Sequence, residues 1–403
     1  MHELRRLLTD ASNVGHAPRV VEGVGASAYL GRIAGRSLGR VLVVASERTA
    51  RGVPVVAALL RSGAHHYGRT RANPTVEDAL ALSRTVEALR PHTVIAVGGG
   101  SALDLAKAGR LLSPYHGELD RGLQGRPESL RPDPPRLVAA PTTAGTGAEI
   151  TPFATLYRGS AKVSLDTPGC RPDLAVLDGH LTATCPDGPG LAAALDALCH
   201  SIESGWSLAG TPTSRVYARA ARDHLLACLA RIDPPSAAEL RWDSGSRRSS
   251  LVWRHALLLS AAVAGVAIAQ TRTTGAHAFA YHLTTRFGVP HGFACAASMS
   301  WIEAQIEDRR PEVLEPATRE AVESLRRHLD WAQSARLVRL PGMDDAALED
   351  YVEAGLGVGS RMAAHPVSMT RDEALGYAAL DGRLVAAGQG SRESRTVALT
   401  KWA

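Results

Sequence analysis

The sequence predicts two successive domains, an open parallel α/β domain followed by an all-helical one. Three observations carry this. Short β-branched runs alternate with helical runs up to about residue 186. From about Leu191 onward the chain is rich in alanine and leucine, with few strand signals. Between them, Cys185-Pro186-Asp187-Gly188-Pro189-Gly190 concentrates the residues that end regular structure. The division is therefore read as 1–187 and 188–403. A chain of 403 residues with 45% hydrophobic content is long enough to bury a core in each.

Taken in order, Met1 to Ser12 has no apolar signal core. RVLVVAS (40–46) is a strand ending in a polar turn, and His65-His66 falls in a polar turn as solvated residues. VEDALALSRTVEALR (76–90) reads as a helix, HTVIAVGGGS (92–101) as a strand stopped by glycines, and RLVAAPTTAGTG (136–147) as a third strand. Strands separated by helices imply parallel βαβ units. LLLSAAVAGVAIA (257–269), the longest apolar run, is too short to cross a bilayer and reads as a buried helix. RWDSGSRRSSLVWR (241–254) reads as an inter-helix loop, ESLRRHLDWAQSARL (323–337) as an amphipathic helix, and GSRESRTVALTKWA (390–403) as a tail.

Composition excludes several classes. The net charge of +5 comes from 45 basic against 40 acidic residues, scattered rather than blocked, so neither nucleic acid nor a membrane surface is an expected partner. Five cysteines, an odd number without CxxC spacing, argue against a disulfide framework and make a reducing cytoplasm the expected location.

The helical half carries a cluster of potential metal ligands. In LAAALDALCHSIESGW, Asp196 and His200 stand one turn apart on the same face of an apolar helix. Further on, TRTTGAHAFAYHLTTRFGVPHG holds His277 in a run of small residues and His291 after a Gly-Val-Pro break, where glycine at 292 allows close approach. A buried carboxylate and imidazole need each other, a hydrogen-bonded network or a cation. Taken together the four offer three nitrogens and one carboxylate, a set that suits Fe(II) or Zn(II) better than Ca(II) or Mg(II).

At these residues, and at two loops of the first half, the chain resembles the iron-containing (group III) alcohol dehydrogenases. GGGSALDLAKA (98–108) is similar to that family's pyrophosphate motif, and PTTAGTGAEIT (141–151) to its Pro-Thr-Thr-x-Gly-Thr-Gly-Ser-Glu, with Ala148 in place of serine. The resemblance implies a dehydroquinate synthase-like fold, with a Rossmann-like α/β dinucleotide domain and a helical metal- and substrate-binding domain. It implies that Asp196, His200, His277 and His291 hold the metal. It implies that Gly99, Gly100 and Ser101 hold the pyrophosphate, with Asp104 and Lys162 near the ribose, Thr142, Thr143 and Thr146 lining the cofactor, and Asn73 at the cleft edge. Read from the residues alone, the glycine turn is either a phosphate cradle on a helix N-terminus or an ordinary turn, and Lys107 a solvated helix residue.

Cofactor choice rests on the position closing the first strand. An acid there repels the extra phosphate of NADP; Ser46 removes that repulsion and Arg48 meets a phosphate, whereas Glu47 in the same place favours NAD. The expected cofactors are Fe(II) or Zn(II) and NAD(P)(H), with the lean towards NADP. The expected chemistry is hydride transfer between nicotinamide and an alcohol or carbonyl whose oxygen the metal polarises, in one cleft between the domains.

Relatives carry a histidine four residues after the one matching His277. This chain has Tyr281 there and His282 one further on, so either serves as donor or anchor, or both simply pack. Arg272 suits a phosphonate or carboxylate, or stands on the surface. The same stretch resembles the branch of phosphonoacetaldehyde reductases and of daptide-type peptide dehydrogenases. The expected substrate is thus a small molecule or a peptide C-terminus, and the family implies a homo-oligomer, a dimer or larger. Competing classes are a dehydroquinate synthase-like lyase or cyclase, whose lysine and arginine cluster cannot be placed here, and a non-catalytic scaffold relative, which would lose ligands.

Overall fold

The computed structural model describes residues 1–36, 39–113, 130–159, 161–232 and 247–385. The tail at 390–403 and the first part of the expected loop, 241–246, lie outside them. Two compact units divide the chain: Met1–Pro186 with Asp243–Ala269, and Asp187–Trp242 with Gln270–Ala403.

The first unit runs α1 (His2–Asn13), β1 (Arg19–Glu22), α2 (Tyr29–Arg36), β2 (Val41–Val44), α3 (Glu47–Gly52), α4 (Pro54–Arg61), β3 (His65–Tyr67), α5 (Val76–Leu89), β4 (Thr93–Gly98), α6 (Gly100–Leu111), β5 (Arg136–Pro141), β6 (Phe153–Arg158), β7 (Ala161–Asp166) and β8 (Leu174–Leu177). Six strands form one parallel sheet in the order β1-β8-β5-β4-β2-β3, and β6 and β7 form a separate antiparallel hairpin.

Every residue of β2, β4 and β8 is buried, which explains their unbroken apolar reading: helices cover both faces. Alternation sorts the side chains. Leu42, Val44, Val94, Ala96, Leu137 and Ala139 face a core with α5 and α6, while Val41, Val43, Ile95, Val97, Val138 and Ala140 face the opposite one with α2 and α4. Each large aliphatic so buried stabilises the fold by about 1.5–3 kcal/mol.

His65-His66 departs from the expected turn. It begins the edge strand β3, and the His66 ring bonds the Ala45 carbonyl at 2.9 Å, which fixes it to β2.

The second unit contains α7 (Asp187–Trp206) and α8 (Pro212–Leu229). Next comes α9 (Arg247–Thr271), which starts in the first unit, and then α10 (Gly275–Phe287) and α11 (His291–Arg309). It ends with α12 (Pro316–Ser334), α13 (Asp345–Leu356), α14 (Gly359–Met362) and α15 (Arg371–Asp381).

Helix α9 differs from the sequence expectation in three ways. It begins at Arg247, so the expected loop is helical from there, and buried Arg254 is a strut whose guanidinium donates to the Thr182 carbonyl at 2.8 Å. It is also longer than its apolar run. By length and composition Ser250–Thr271 is enough to cross a membrane, yet 83% of its most apolar window is buried inside the structure, as in a core helix. Finally, its part up to Ala269 belongs to the first unit, because a Cβ on Gly147 would lie 2.7 Å from the Gly265 Cα and only glycine permits that crossing.

Lys107 is not solvated. It is fully buried, and its ammonium donates to Thr151 Oγ1 at 3.2 Å and to the Phe153 carbonyl at 2.8 Å, tying α6 to β6. Burial nearby pushes the Glu149 carboxyl up to about 7, with Lys107 opposing. A raised folded pKa means that the neutral acid suits the fold, so this contribution is complete below about 4.5 and is lost as pH rises to about 7. Denaturant titrations of an E149Q protein should therefore show a flatter stability profile over that window, by about 2 kcal/mol or more. A profile matching that of the parent protein would place the titration elsewhere.

Candidate functional site

The chain reverses direction in the sheet between β2, which leads outward to β3, and β4, which leads on to β5. Crevices beyond the carboxyl ends of such strands bind ligands in open α/β sheets. The strand ends here are Ser46 after β2, Gly98 to Ser101 after β4, and Thr142 to Thr146 after β5. The structure knits most of these together. The Thr142 N–H donates to the Gly98 carbonyl at 2.9 Å, and the Asn73 N–H donates to Ser101 Oγ at 3.3 Å. A Cβ on Gly99 would lie 3.4 Å from Thr143 Oγ1, and one on Gly100 2.7 Å from Thr146 Oγ1, so side chains there would press on both threonines. The absence of side chains leaves the first N–H groups of α6 open to an anion.

Three of the expected cofactor residues have other ties. Ser46 caps α3, accepting the Thr49 N–H at 3.1 Å. Asp104 accepts the Thr155 N–H at 3.0 Å and pairs with Lys107 at 3.6 Å, so its carboxylate braces α6 against the hairpin; burial raises its pKa. Lys162, on β7, acts on Asp104 electrostatically.

In the second unit, three helices bring the predicted ligands to one point. Asp196 and His200 sit on α7, where alanines and leucines sustain a buried helix. His277 lies in the first turn of α10. Gly288 closes that helix in the left-handed conformation (φ 69°), and His291 opens α11 directly after Pro290. A Cβ on Gly292 would lie 1.7 Å from the Ala192 carbonyl oxygen, so glycine is what lets α11 reach α7.

All three imidazoles turn Nε2 towards one atom. His277 Nε2 is 3.2 Å from Asp196 Oδ1, His200 Nε2 3.7 Å and His291 Nε2 3.9 Å. The two longer distances exceed hydrogen bonds to Asp196, and His291 Nε2 also lies 3.6 Å from Cys295 Sγ. Burial raises the Asp196 pKa, but His200, His277 and His291 outweigh it and hold the carboxyl below its ordinary range. The set fits a divalent cation: one carboxylate oxygen and imidazole nitrogens, buried and mutually close.

Cys295 also belongs to this neighbourhood. Its ligand atom and those of Asp196, His277 and His291 lie within 4.8 Å of one another, and burial pushes the thiol up to about 12. His200 is not in that tightest group, but its ring stacks on His277 at 4.7 Å.

Sequence reasoning missed Glu203. It is fully buried, its Oε2 bonds His277 Nδ1, and its Oε1 accepts the Thr274 hydroxyl at 2.9 Å; Thr274 in turn accepts the Trp206 indole N–H at 2.9 Å. The His277 ring is thus held from both sides, Nδ1 by Glu203 and Nε2 by Asp196. The signal was in the sequence: Asp196, His200 and Glu203 follow i, i+4, i+7 along α7.

Tyr281 and His282 separate. The Tyr281 ring stacks on His291, centroids 5.7 Å apart and planes 1° from parallel, whereas His282 packs against Phe287 and Tyr351. At about 100° per residue, i+4 returns to within about 40° of His277 and i+5 swings to about 140°. The structure thus brings Tyr281 to the cluster and turns His282 away from it. Arg272 adopts a left-handed backbone (φ 62°) just before α10.

Two features thus stand out, a glycine turn opening a helix beyond a parallel sheet, and three histidines around one carboxylate in a helical unit. The chain belongs to the iron-containing alcohol dehydrogenase family, matching it over residues 17–179 and its C-terminal domain over 191–336. A phosphonoacetaldehyde reductase of Streptomyces viridochromogenes is 37% identical over 236 residues, 56% of this chain and 56% of that protein. A long-chain-alcohol dehydrogenase of Geobacillus thermodenitrificans is 31% identical over 234 residues, 58% of this chain and 55% of that protein. The chain thus matches a little over half the length of these curated relatives. Among solved structures, an iron-containing alcohol dehydrogenase of Thermotoga maritima shares the fold with a TM-score of 0.75 and 24% identity, over 90% of this chain and 97% of that one. A sulfoacetaldehyde reductase of Bifidobacterium kashiwanohense, in complex with NAD+, has a TM-score of 0.73 and 20% identity, over 91% and 97%.

Replacing Glu203 should loosen the centre without touching a ligand. An E203Q protein is expected to bind Zn(II) about 10–100-fold more weakly in a competitive chelator titration. Unchanged affinity would reduce Glu203 to a packing residue.

Proposed function

We propose that the chain is a metal-dependent, nicotinamide-linked alcohol dehydrogenase acting chiefly as a carbonyl reductase. The observation that carries this reading is the convergence of three Nε2 atoms on one Asp196 oxygen. Family membership supports it. When bound, the divalent cation polarises the carbonyl and the reduced nicotinamide supplies hydride.

The chain's own residues do the rest. Asp196, His200, His277 and His291 hold Fe(II) or Zn(II), and Glu203 fixes the His277 ring. Gly99, Gly100 and Ser101 receive the pyrophosphate at the start of α6, beside Thr142, Thr143 and Thr146. Tyr281, stacked on His291, delivers the proton that turns the reduced oxygen into a hydroxyl. Ser46 leaves room for the 2′-phosphate of NADP. The relative with the higher identity of the two, a phosphonoacetaldehyde reductase, favours a short aldehyde as substrate and a biosynthetic setting of that kind.

Spectrophotometry of NADPH and NADH oxidation by Fe(II)- and Zn(II)-loaded protein tests this against phosphonoacetaldehyde, simple aldehydes and a peptide ending in aminoacetone. Turnover is expected with an aldehyde, faster with NADPH, and an H277A protein should lose about a thousandfold or more. Aspartate caps helices as well as serine does, so S46D should fold and shift preference towards NADH. No turnover of any carbonyl by metal-replete protein would overturn the proposal.

A further inference from the structure

Arg361, on α14, is 8% exposed, and its guanidinium has no hydrogen bond or ion pair to any described residue. A buried charge without a partner is costly, so an arginine kept in that state points to a counter-ion that arrives from outside.

The surroundings say where that ion sits. Helix α14 packs against α10. Just beyond α14, the His365 ring lies 3.2 Å from where a Cβ on Gly275 would stand, which brings this segment to the start of α10. Arg272 occupies the turn leading into the same helix end. Its left-handed φ of 62° is uncommon for a residue with a side chain. Burial first, and then the charge of Arg361, pull the Arg272 pKa down to about 10, so the two cations feel each other. Tyr281 acts on Arg272 in the opposite sense, and the Tyr281 ring stacks on His291. Arg361 and Arg272 thus both belong to the segments that meet at the start of α10, the helix whose Tyr281 stacks on His291.

We propose that Arg272 and Arg361 together bind an oxyanion carried by the substrate on the carbon chain beside its carbonyl, and that two guanidinium forks select a dianionic phosphonate over a monoanion. Like charges brought together in a half-buried site are stabilised when a doubly charged, multiply accepting group lies between them, and planar forks match tetrahedral oxyanions in two-point contacts. This rests on the carbonyl-reductase reading above. It goes beyond it by assigning Arg361 as a specificity residue of the same site.

The test pairs a kinetic and a binding readout. Catalytic efficiency is measured for phosphonoacetaldehyde, sulfoacetaldehyde and butanal with the parent protein, R361M and R361K. The parent should prefer the phosphonate over the sulfonate and both over butanal. In R361M the phosphonate-to-butanal ratio should fall by about 30-fold or more, chiefly through KM, and R361K, which keeps the charge but not the fork, should fall between. Separately, methylphosphonate should raise the melting temperature of the metal-loaded parent and not that of R361M, or less that of R361K if R361M does not fold. An unchanged ratio, or equal stabilisation of parent and variants by methylphosphonate, would overturn the assignment. If no carbonyl is turned over at all, the reductase reading fails, while the methylphosphonate shift still reports on the anion site.

Discussion

Asp196 is the residue on which the helical unit's chemistry depends. Its carboxylate is 3% exposed and ionised, and so is that of Glu203, which is fully buried. Two buried carboxylates flank the His277 ring, one on each nitrogen, and their charge favours a cation at this point. The cluster forms where α7, α10 and α11 meet, each supplying one or more of its polar groups. Gly292 and Gly288 follow from it: one lets α11 touch α7, the other turns the chain sharply enough to start α11 at His291.

The first unit solves a different problem. Its sheet is buried on both faces, so polar chemistry is confined to the strand ends, and the reversal between β2 and β4 opens the end where Ser46, the glycine turn and the threonines gather. Lys107 and Asp104 sit just beneath as a buried pair that locks the cradle helix to the hairpin. A phosphate held there would take its contacts from backbone N–H groups, which suits loops of glycine and threonine rather than charged side chains.

Most of this was legible in the chain because it is local or periodic. Continuous apolar runs ending in glycine mark parallel strands, and Asp196 with His200 repeats at a helical turn. The convergence of His277 and His291 on Asp196 was legible only through family resemblance, since spacing alone leaves it open whether they meet. What escaped depends on three-dimensional packing. Arg254 and Lys107 read as surface charges but are buried struts. The 247–269 segment reads as part of the helical half, yet it belongs to the first unit, where Gly147 and Gly265 fit each other. Tyr281 and His282 differ by one residue, and only the phase of α10 decides which faces the cluster. Arg361 carries no local signal at all; its burial comes from the fold.

X-ray absorption spectroscopy of the protein loaded with Co(II) or Zn(II) tests the centre most directly. The account requires one ion per chain, a shell of nitrogen and oxygen only, and the outer scattering of three imidazoles. A sulfur neighbour, which would put Cys295 in the place given to His200, or a stoichiometry near zero, would contradict it.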